Sequence, residues 1–303
     1  MDYFILFLAV LCIAVQFSIN KVYQKNFVHG LKDMLFFPFV CGIVNVIFFT
    51  FLSFILYGGL PVFSAFSFAM SIALAIVGTF SALVGILIMK YGKMSVYSVF
   101  MMLGGMILPY FYGLMFLSET ISAARIIGLV ILICALPCSV ITPADKKSEA
   151  KNELAKIFYI LCLFIFLLNG ATSIISKSHS INISAVPAAN FIVYVNLWSM
   201  AINGIAYSIF SRKIKNSETQ KVRVNKFHAI LTVTIYAAVA GIGFLFQLIP
   251  AKTIPAVVLY PFVTGGSIVL STVLARILFK EKVSKPAFAG IIMSLCGTLL
   301  FLL

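Results

Sequence analysis

The chain has 303 residues, of which 62% are hydrophobic and only 10% are charged, and its formal net charge is +14. Its mean hydropathy of +1.14 excludes an ordinary soluble domain, because too few charged residues remain to cover a surface that faces water. A strong positive charge can indicate a nucleic-acid partner, but here the basic residues are distributed as in a membrane protein. We therefore expect an all-α integral membrane protein without a nucleic-acid partner.

Apolar stretches long enough to span a membrane follow one another along the chain. A hydrocarbon core about 30 Å thick needs roughly 20 apolar residues per helix. We predict ten transmembrane helices, at about 3–20, 34–57, 65–89, 94–117, 123–142, 157–176, 187–211, 227–249, 254–279 and 284–303. The first stretch lacks a basic leader and a small-residue cleavage site, so we interpret it as a spanning helix and not as a signal peptide.

The second half of the chain repeats the first at a distance of 162 residues. Over positions 83–134 this shift pairs nine identical residues with their counterparts. The shared residues are Leu83, Lys90, Phe100, Gly104, Leu108, Glu119, Ser122, Gly128 and Cys134, repeated at Leu245, Lys252, Phe262, Gly266, Leu270, Glu281, Ser284, Gly290 and Cys296. The matching polar and glycine residues occupy the same points of the same hydrophobic pattern, which indicates a duplication.

A short charged segment, 143–156, separates the two copies. We expect a first five-helix repeat at 1–142, this segment as a linker, and a second five-helix repeat at 157–303. Because five is odd, the second repeat must enter the membrane inverted relative to the first. Inverted repeats allow two conformations that mirror each other across the bilayer, which is the geometry of alternating access.

The basic residues orient the chain in the membrane. Nineteen of the 22 Lys and Arg residues fall at 21–32, 90–93, 146–156, 212–226 and 276–285, which are alternate connections. Since basic loops stay in the cytoplasm, this asymmetry predicts that both termini lie outside.

Each repeat closes with the pattern Glu-x-x-Ser-x5-Gly before its last helix. The pattern runs from Glu119 to Gly128 and again from Glu281 to Gly290. In this motif and in its ten-helix, two-repeat organisation the chain resembles the drug/metabolite transporter superfamily, EamA type. The resemblance implies a multi-pass transporter of amino acids, other metabolites, drugs or nucleotide sugars, and we expect it in a bacterial cytoplasmic membrane. Each Glu sits between two helices, where its carboxylate can cap free helix N–H groups; a coupling role is the alternative.

Two helices carry a polar stripe that ends in a lysine. The stripes consist of Gln16, Asn20 and Lys21 in the first helix and of Asn169, Ser173 and Lys177 in the sixth. If they face each other, they line a polar cavity whose lysines attract a carboxylate or a phosphate. The alternative is that the amides join neighbouring helices while the lysines reach the membrane interface. The resemblance also places the fourth and ninth helices around a central cavity, which makes Tyr97, Tyr260 and, on the eighth helix, Gln247 further candidate contacts.

Ionisable residues are rare at membrane depth. All eight acidic residues and all three histidines fall at predicted helix ends or in connections. This favours a facilitator or exchanger over a proton antiporter that works through a buried carboxylate. A membrane enzyme would need a cluster of catalytic or metal-ligating side chains inside the bundle, so we expect no catalytic residue, metal or cofactor.

The sequence thus predicts a transporter that moves a small organic solute by alternating access through a cavity between two inverted repeats. The alternatives are a proton-coupled drug exporter and a membrane assembly partner that transports nothing. The expected partners are the solute and the lipid bilayer, with the chain as a monomer or a homodimer.

Overall fold

The fold is helical throughout the part of the chain described by the computed structural model, which is residues 1–27, 31–91, 94–140, 152–214, 226–279 and 285–303. No β-strand occurs in these ranges, and a single turn of 3-10 helix, Pro250–Lys252, precedes the ninth α-helix. The α-helices are α1 (Asp2–Phe27), α2 (Leu31–Tyr57), α3 (Ala65–Tyr91), α4 (Met94–Phe116), α5 (Ala123–Val140), α6 (Asn152–Ile181), α7 (Ala188–Ile214), α8 (Lys226–Leu248), α9 (Ala256–Phe279) and α10 (Lys285–Leu300).

Eight of these described helices are long and apolar enough to cross a membrane, whereas α5 and α10 are shorter apolar helices of 18 and 16 residues. Their outer faces carry large apolar side chains. Phe51, Phe116 and Ile277 are 64%, 71% and 67% exposed. Such a surface is unfavourable in water and favourable against lipid, and helices satisfy their own backbone groups there. The described residues therefore form a helical bundle of the membrane type.

Helices lie at the positions of all the predicted spans, but two of them are longer than predicted. We expected the first and sixth helices to end near 20 and 176, yet α1 continues to Phe27 and α6 to Ile181. The predicted spans end where the polar stripes reach Lys21 and Lys177, whereas the helices continue because Lys, Gln and Ser do not break a helix. The first turn of α6 contains residues 152–156 of the predicted linker, and 143–151 lie outside the described residues.

The two halves of the chain interleave. The first helix of each half packs on the third and fourth helices of the other half: α1 contacts α8 and α9, and α6 contacts α3 and α4. Other major contacts join equivalent helices, namely α2 with α7, α4 with α9 and α5 with α10, and further ones form related pairs, α3 with α7 beside α2 with α8 and α9 with α10 beside α4 with α5. The major contacts therefore recur when the two halves are exchanged.

Buried polar side chains hold α2 and α7 together. Asn45 Nδ2 donates to Asn196 Oδ1 at 3.3 Å, and Ser53 Oγ donates to Asn190 Oδ1 at 2.6 Å. Residue numbers rise along α2 as they fall along α7, so the two helices are antiparallel. Amide and hydroxyl pairs of this kind join helices where no water competes for them.

Two glycines bring α2 and α7 close together in a reciprocal way. Gly42 of α2 lies against the backbone of Met200, and Gly204 of α7 lies against the ring of Phe39. The two glycines are 162 residues apart, which is the spacing of the sequence repeat. The same spacing thus relates a pair of glycines whose first member lies upstream of position 83.

A third close approach positions α6 along α4. At Gly104 a β-carbon would collide with the backbone carbonyl of Phe166, and at Gly105 it would meet the amide of Asn169. Residue numbers rise together along the two helices, so α4 and α6 are parallel. The absence of side chains at Gly104 and Gly105 lets the polar face of α6 reach the backbone of α4.

Candidate functional site

A cavity of about 450 Å³ lies among α1, α4, α6, α8 and α9, so both halves of the chain build it. Its wall is mixed in character. The polar residues that line it are Gln16, Asn169, Thr172, Ser173, Ser176, Gln247, Tyr260, Thr264 and Ser267. The apolar ones are Ile13, Phe17, Met101, Met102, Phe244 and Val263, and Gly105 and Ala240 complete the wall. Its size is that of a pocket for a small organic molecule.

The α6 wall is polar because four polar residues recur at spacings of three and four, which places them on one face of the helix. Asn169 Nδ2 donates to the carbonyl oxygen of Met101 at 2.6 Å, and Ser173 Oγ donates to that of Gly105 at 3.3 Å. Since a carbonyl can only accept, the first bond fixes the orientation of the amide. It leaves Asn169 Oδ1 as an acceptor without a partner among the described residues.

Two amides and a hydroxyl enter the cavity from the other helices. Gln16 Nε2 of α1 donates to Tyr236 Oη of α8 at 3.0 Å, which fixes the glutamine against the wall. Gln247 of α8 and Thr264 of α9 line the cavity and make no side-chain hydrogen bond to any described residue. Their polar groups are therefore free for a bound molecule.

Tyr260 closes one end of the cavity. Its side chain is buried in the first turn of α9, and Oη donates to the carbonyl oxygen of Ser173 on α6 at 2.5 Å. The bond joins the first helix of the second half to the fourth helix of the same half. Tyr260 thus joins α6 and α9 at the wall of the cavity.

A buried ion pair lies just past Tyr260. Lys177 is 3% exposed, and its Nζ donates to the carbonyl oxygens of Ala251 and Ile254 at 2.8 and 2.7 Å. Glu119 Oε1 lies 3.9 Å from the same Nζ, and the Glu119 side chain is 10% exposed. The lysine therefore has partners in both halves of the chain: the two carbonyl oxygens belong to the second half and Glu119 belongs to the first.

Glu119 also caps a helix. Its two carboxylate oxygens accept from the backbone N–H groups of Ala256 and Val257, at 2.7 and 2.9 Å. These are the first residues of α9, where an anion satisfies unpaired N–H groups and is favoured by the helix dipole. We expected Glu119 to cap a helix beside it in the sequence, whereas the helix that it caps belongs to the other half.

The chain turns sharply to bring Glu119 there. Ser118 has a positive φ of 52°, and the N–H groups of Leu117 and Glu119 both donate to the carbonyl oxygen of Gly113. This left-handed residue ends α4 and reverses the chain. The carboxylate then packs directly on Gly113, where a β-carbon would collide with it.

The structure brings Gln16, Asn169, Ser173, Gln247 and Tyr260 together around one cavity. The first three belong to the two polar stripes, whereas Gln247 and Tyr260 are the further candidates suggested by the resemblance. It does not bring the two lysines there. Lys177 is buried against Glu119 and two carbonyl oxygens, so it contributes no free charge to the wall. Lys21 is exposed and follows Gln16 by five residues, which turns it about 140° away around α1.

Two further candidates lie outside the wall. Asn20 accepts a hydrogen bond from Gln24, one turn further along α1. The hydroxyl of Tyr97 points toward α3, where it lies against Gly85, and donates to Met101 Sδ at 3.4 Å. The alignment with Tyr260 fixed the depth of Tyr97 in the bundle but not the face of α4 that carries it.

The motif glycines lie where α5 meets α10. Gly128 lies against the carbonyl oxygen of Gly297, and Gly290 is buried in α10. Glu281 lies outside the described residues.

Four polar residues of the cavity wall were not predicted from the sequence: Thr172, Ser176, Thr264 and Ser267. A search for polar residues at helical spacing from Asn169 and Tyr260 would have found them.

Among the described residues, no group of three or more His, Cys, Asp or Glu side chains is placed to hold a metal ion.

Comparisons with known proteins bear on the fold alone. No protein-family model and no curated protein matches the sequence. Solved structures do match, 28 chains in all, and one crystal structure aligns with 99% of this chain and 95% of its own at a TM-score of 0.74 and 14% identity. The fold is thus one that solved proteins share.

Proposed function

We propose that this protein is a membrane transporter that moves a small organic solute through the cavity between its two halves. The observation that carries the proposal is the cavity itself: a hydrogen-bonding wall built by helices of both halves inside an apolar bundle. Polar groups at membrane depth are costly unless they are hydrogen-bonded, and Gln247 and Thr264 in this wall have no hydrogen-bond partner among the described residues. This function requires two partners, the solute and the lipid bilayer, and it requires no cofactor.

The ten helices act as two inverted five-helix repeats in this proposal. Three observations support it: the 162-residue sequence repeat, the contact pattern that survives exchange of the halves, and the antiparallel α2 and α7 with their reciprocal glycines. A two-fold axis between equivalent helices would produce all three. On this basis we also propose that the chain belongs to the EamA-type drug/metabolite transporters, with both termini outside the cell membrane.

Alternating access then requires the closed end to open. Among the contacts there, those of Glu119 with Lys177 and with the first residues of α9 cross between the two halves. Rocking one repeat against the other is the motion that inverted repeats allow, and it would separate these contacts and expose the cavity on that side.

We propose facilitated transport or exchange and not a proton antiport. None of the described residues that line the cavity is acidic or a histidine, so proton and solute have no shared carboxylate to contest there. Glu119 is the buried acid nearest the cavity, and it is bound to the N-terminus of α9 and to Lys177.

The test is transport by the purified chain in proteoliposomes, screened with small metabolites. Once a solute is found, Gln16→Ala and Asn169→Ala should each reduce its uptake by about fivefold or more, because each removes a hydrogen-bonding group worth ~1 kcal/mol or more from the wall. Gln24→Ala, on α1 but outside the cavity, is the control and should transport normally. Normal transport by both cavity variants would refute this site, and a strict need for a pH gradient would refute the uncoupled mechanism.

A further inference from the structure

We infer that the cavity selects an uncharged, amphipathic solute rich in hydrogen-bond donors, of which a nucleoside is a representative. This inference rests on the proposed function and adds the class of substrate to it. It follows from three properties of the wall: its lack of charge, the direction of its hydrogen bonds, and its separation into a polar and an apolar side.

The first property is charge. None of the described residues that line the cavity carries a formal charge. The nearest ionised group is Lys177, next to Ser176, and it is committed to two carbonyl oxygens and to Glu119. A charged solute would lose its hydration without meeting a counter-charge, which is far more costly than burying a neutral polar group that finds a hydrogen bond.

The second property is the direction of the hydrogen bonds. Thr172, Ser176 and Ser267 each donate to the carbonyl oxygen four residues earlier in their own helix, and Tyr260 donates across to α6. Their hydroxyl oxygens keep lone pairs that can accept. With Asn169 Oδ1, the wall presents mostly acceptors, so it is complementary to a solute with several O–H or N–H groups.

Gln247 and Thr264 are the exceptions in this wall. Their side chains have no partner among the described residues and can both donate and accept. Gln247 lines the cavity from α8 and Thr264 lines it from α9. We assign Gln247 as the residue that would read a carbonyl or ring nitrogen of the solute.

The third property is the separation of the wall. Phe17, Met101, Met102 and Phe244 provide aromatic and thioether surface that suits a flat apolar ring. A solute that fits has an apolar or aromatic part on one side and hydroxyl or amide groups on the other. In 450 Å³ there is room for a molecule the size of a nucleoside.

A matched series of probes separates charge from shape. Uridine, 5′-amino-5′-deoxyuridine and uridine 5′-phosphate have the same base and sugar and are neutral, cationic and anionic. Binding to the purified full-length chain in detergent can be measured by calorimetry and by the shift in Tm. We expect uridine to bind, and both charged analogues to bind at least tenfold more weakly.

A charge placed in the cavity should reverse this order. In Gln247→Glu, the cationic analogue should bind at least tenfold more tightly than to the wild type, while uridine weakens. Gln24→Glu places the same charge on α1 outside the cavity and should leave the order unchanged. Thr264→Val keeps the shape of the side chain and should weaken the binding of uridine. This variant supplies a second readout if Gln247→Glu folds poorly.

The inference is overturned if uridine does not bind, if either charged analogue binds the wild type as tightly as uridine, or if neither cavity variant alters uridine binding. Its failure differs from that of the proposed function. A charged solute moved across proteoliposomes would leave transport standing and refute the substrate class. Uridine that binds as expected and is never moved would do the opposite.

Discussion

Lys177 and Glu119 form a buried ion pair at one end of the bundle, and each has backbone partners as well. The lysine donates to two carbonyl oxygens at the 3-10 turn, and the glutamate accepts from two N–H groups of α9. A buried ion pair adds little to the free energy of unfolding, but removing one partner leaves the other charge buried without its counter-charge, which is strongly destabilising. The pair therefore fixes which surfaces meet at this end of the bundle.

Removing the carboxylate should destabilise the protein by about 3 kcal/mol, because Glu119→Gln strands the Lys177 charge and leaves one α9 N–H group without an acceptor. The measurement is Tm in detergent. The double variant Glu119→Gln/Lys177→Met should recover part of the loss. Lys252→Met, which removes an exposed lysine of the 3-10 turn, is the control and should change Tm little. A double variant no more stable than the single one would contradict this account.

At the scale of the element, the close approach of α4 and α6 depends on one glycine. Gly104→Ala places a methyl group against the Phe166 carbonyl, and relieving it must push two parallel helices apart. We expect a loss of about 1–3 kcal/mol by overpacking. The matched control is Gly78→Ala in α3, where a β-carbon would meet nothing within 4 Å.

The control should be neutral or slightly stabilising, by up to about 1 kcal/mol, since alanine favours a helix more than glycine does. Both variants are compared by Tm in the same detergent. Equal effects of the two substitutions would show that helix propensity, and not the contact between α4 and α6, governs Gly104.

The sequence indicated the elements well and their partners less well. Continuous apolar runs located the helices, and spacings of four placed Gln16, Asn169 and Ser173 on faces that meet. The position of Lys177 could not be predicted, because its partners are carbonyl oxygens made available by a 3-10 turn some 74 residues away. The helix capped by Glu119 begins 137 residues later, and only the tertiary fold brings the two together.

At the scale of the whole molecule, the inverted repeats predict a definite topology. In a variant whose six native cysteines are replaced, single cysteines inserted after Met1 or placed at Ala150 or Leu303 should be labelled by a membrane-impermeant maleimide in intact cells only near the two termini. Ala150 should react only after the membrane is opened, because five helices separate it from each terminus. Labelling of all three from the same side would exclude five spans per repeat. Ile183→Cys, fully exposed after α6, should behave like the termini.

The reach of α9 has a thermodynamic consequence. Glu119 accepts hydrogen bonds from the first residues of α9. The same helix places Tyr260, Thr264 and Ser267 at the cavity wall, and Ser267 lies about 16 Å along the helix from its first residue. α9 is continuous over that length, with Pro261 inside it, so the carboxylate at one end and a bound solute at the other contact the same helix. If a guest draws α9 inward, it must loosen the carboxylate, and by reciprocity a loosened carboxylate must change the affinity for the guest by the same factor. Binding of the solute in the cavity and release of Glu119 from the N-terminus of α9 would then be coupled in one equilibrium.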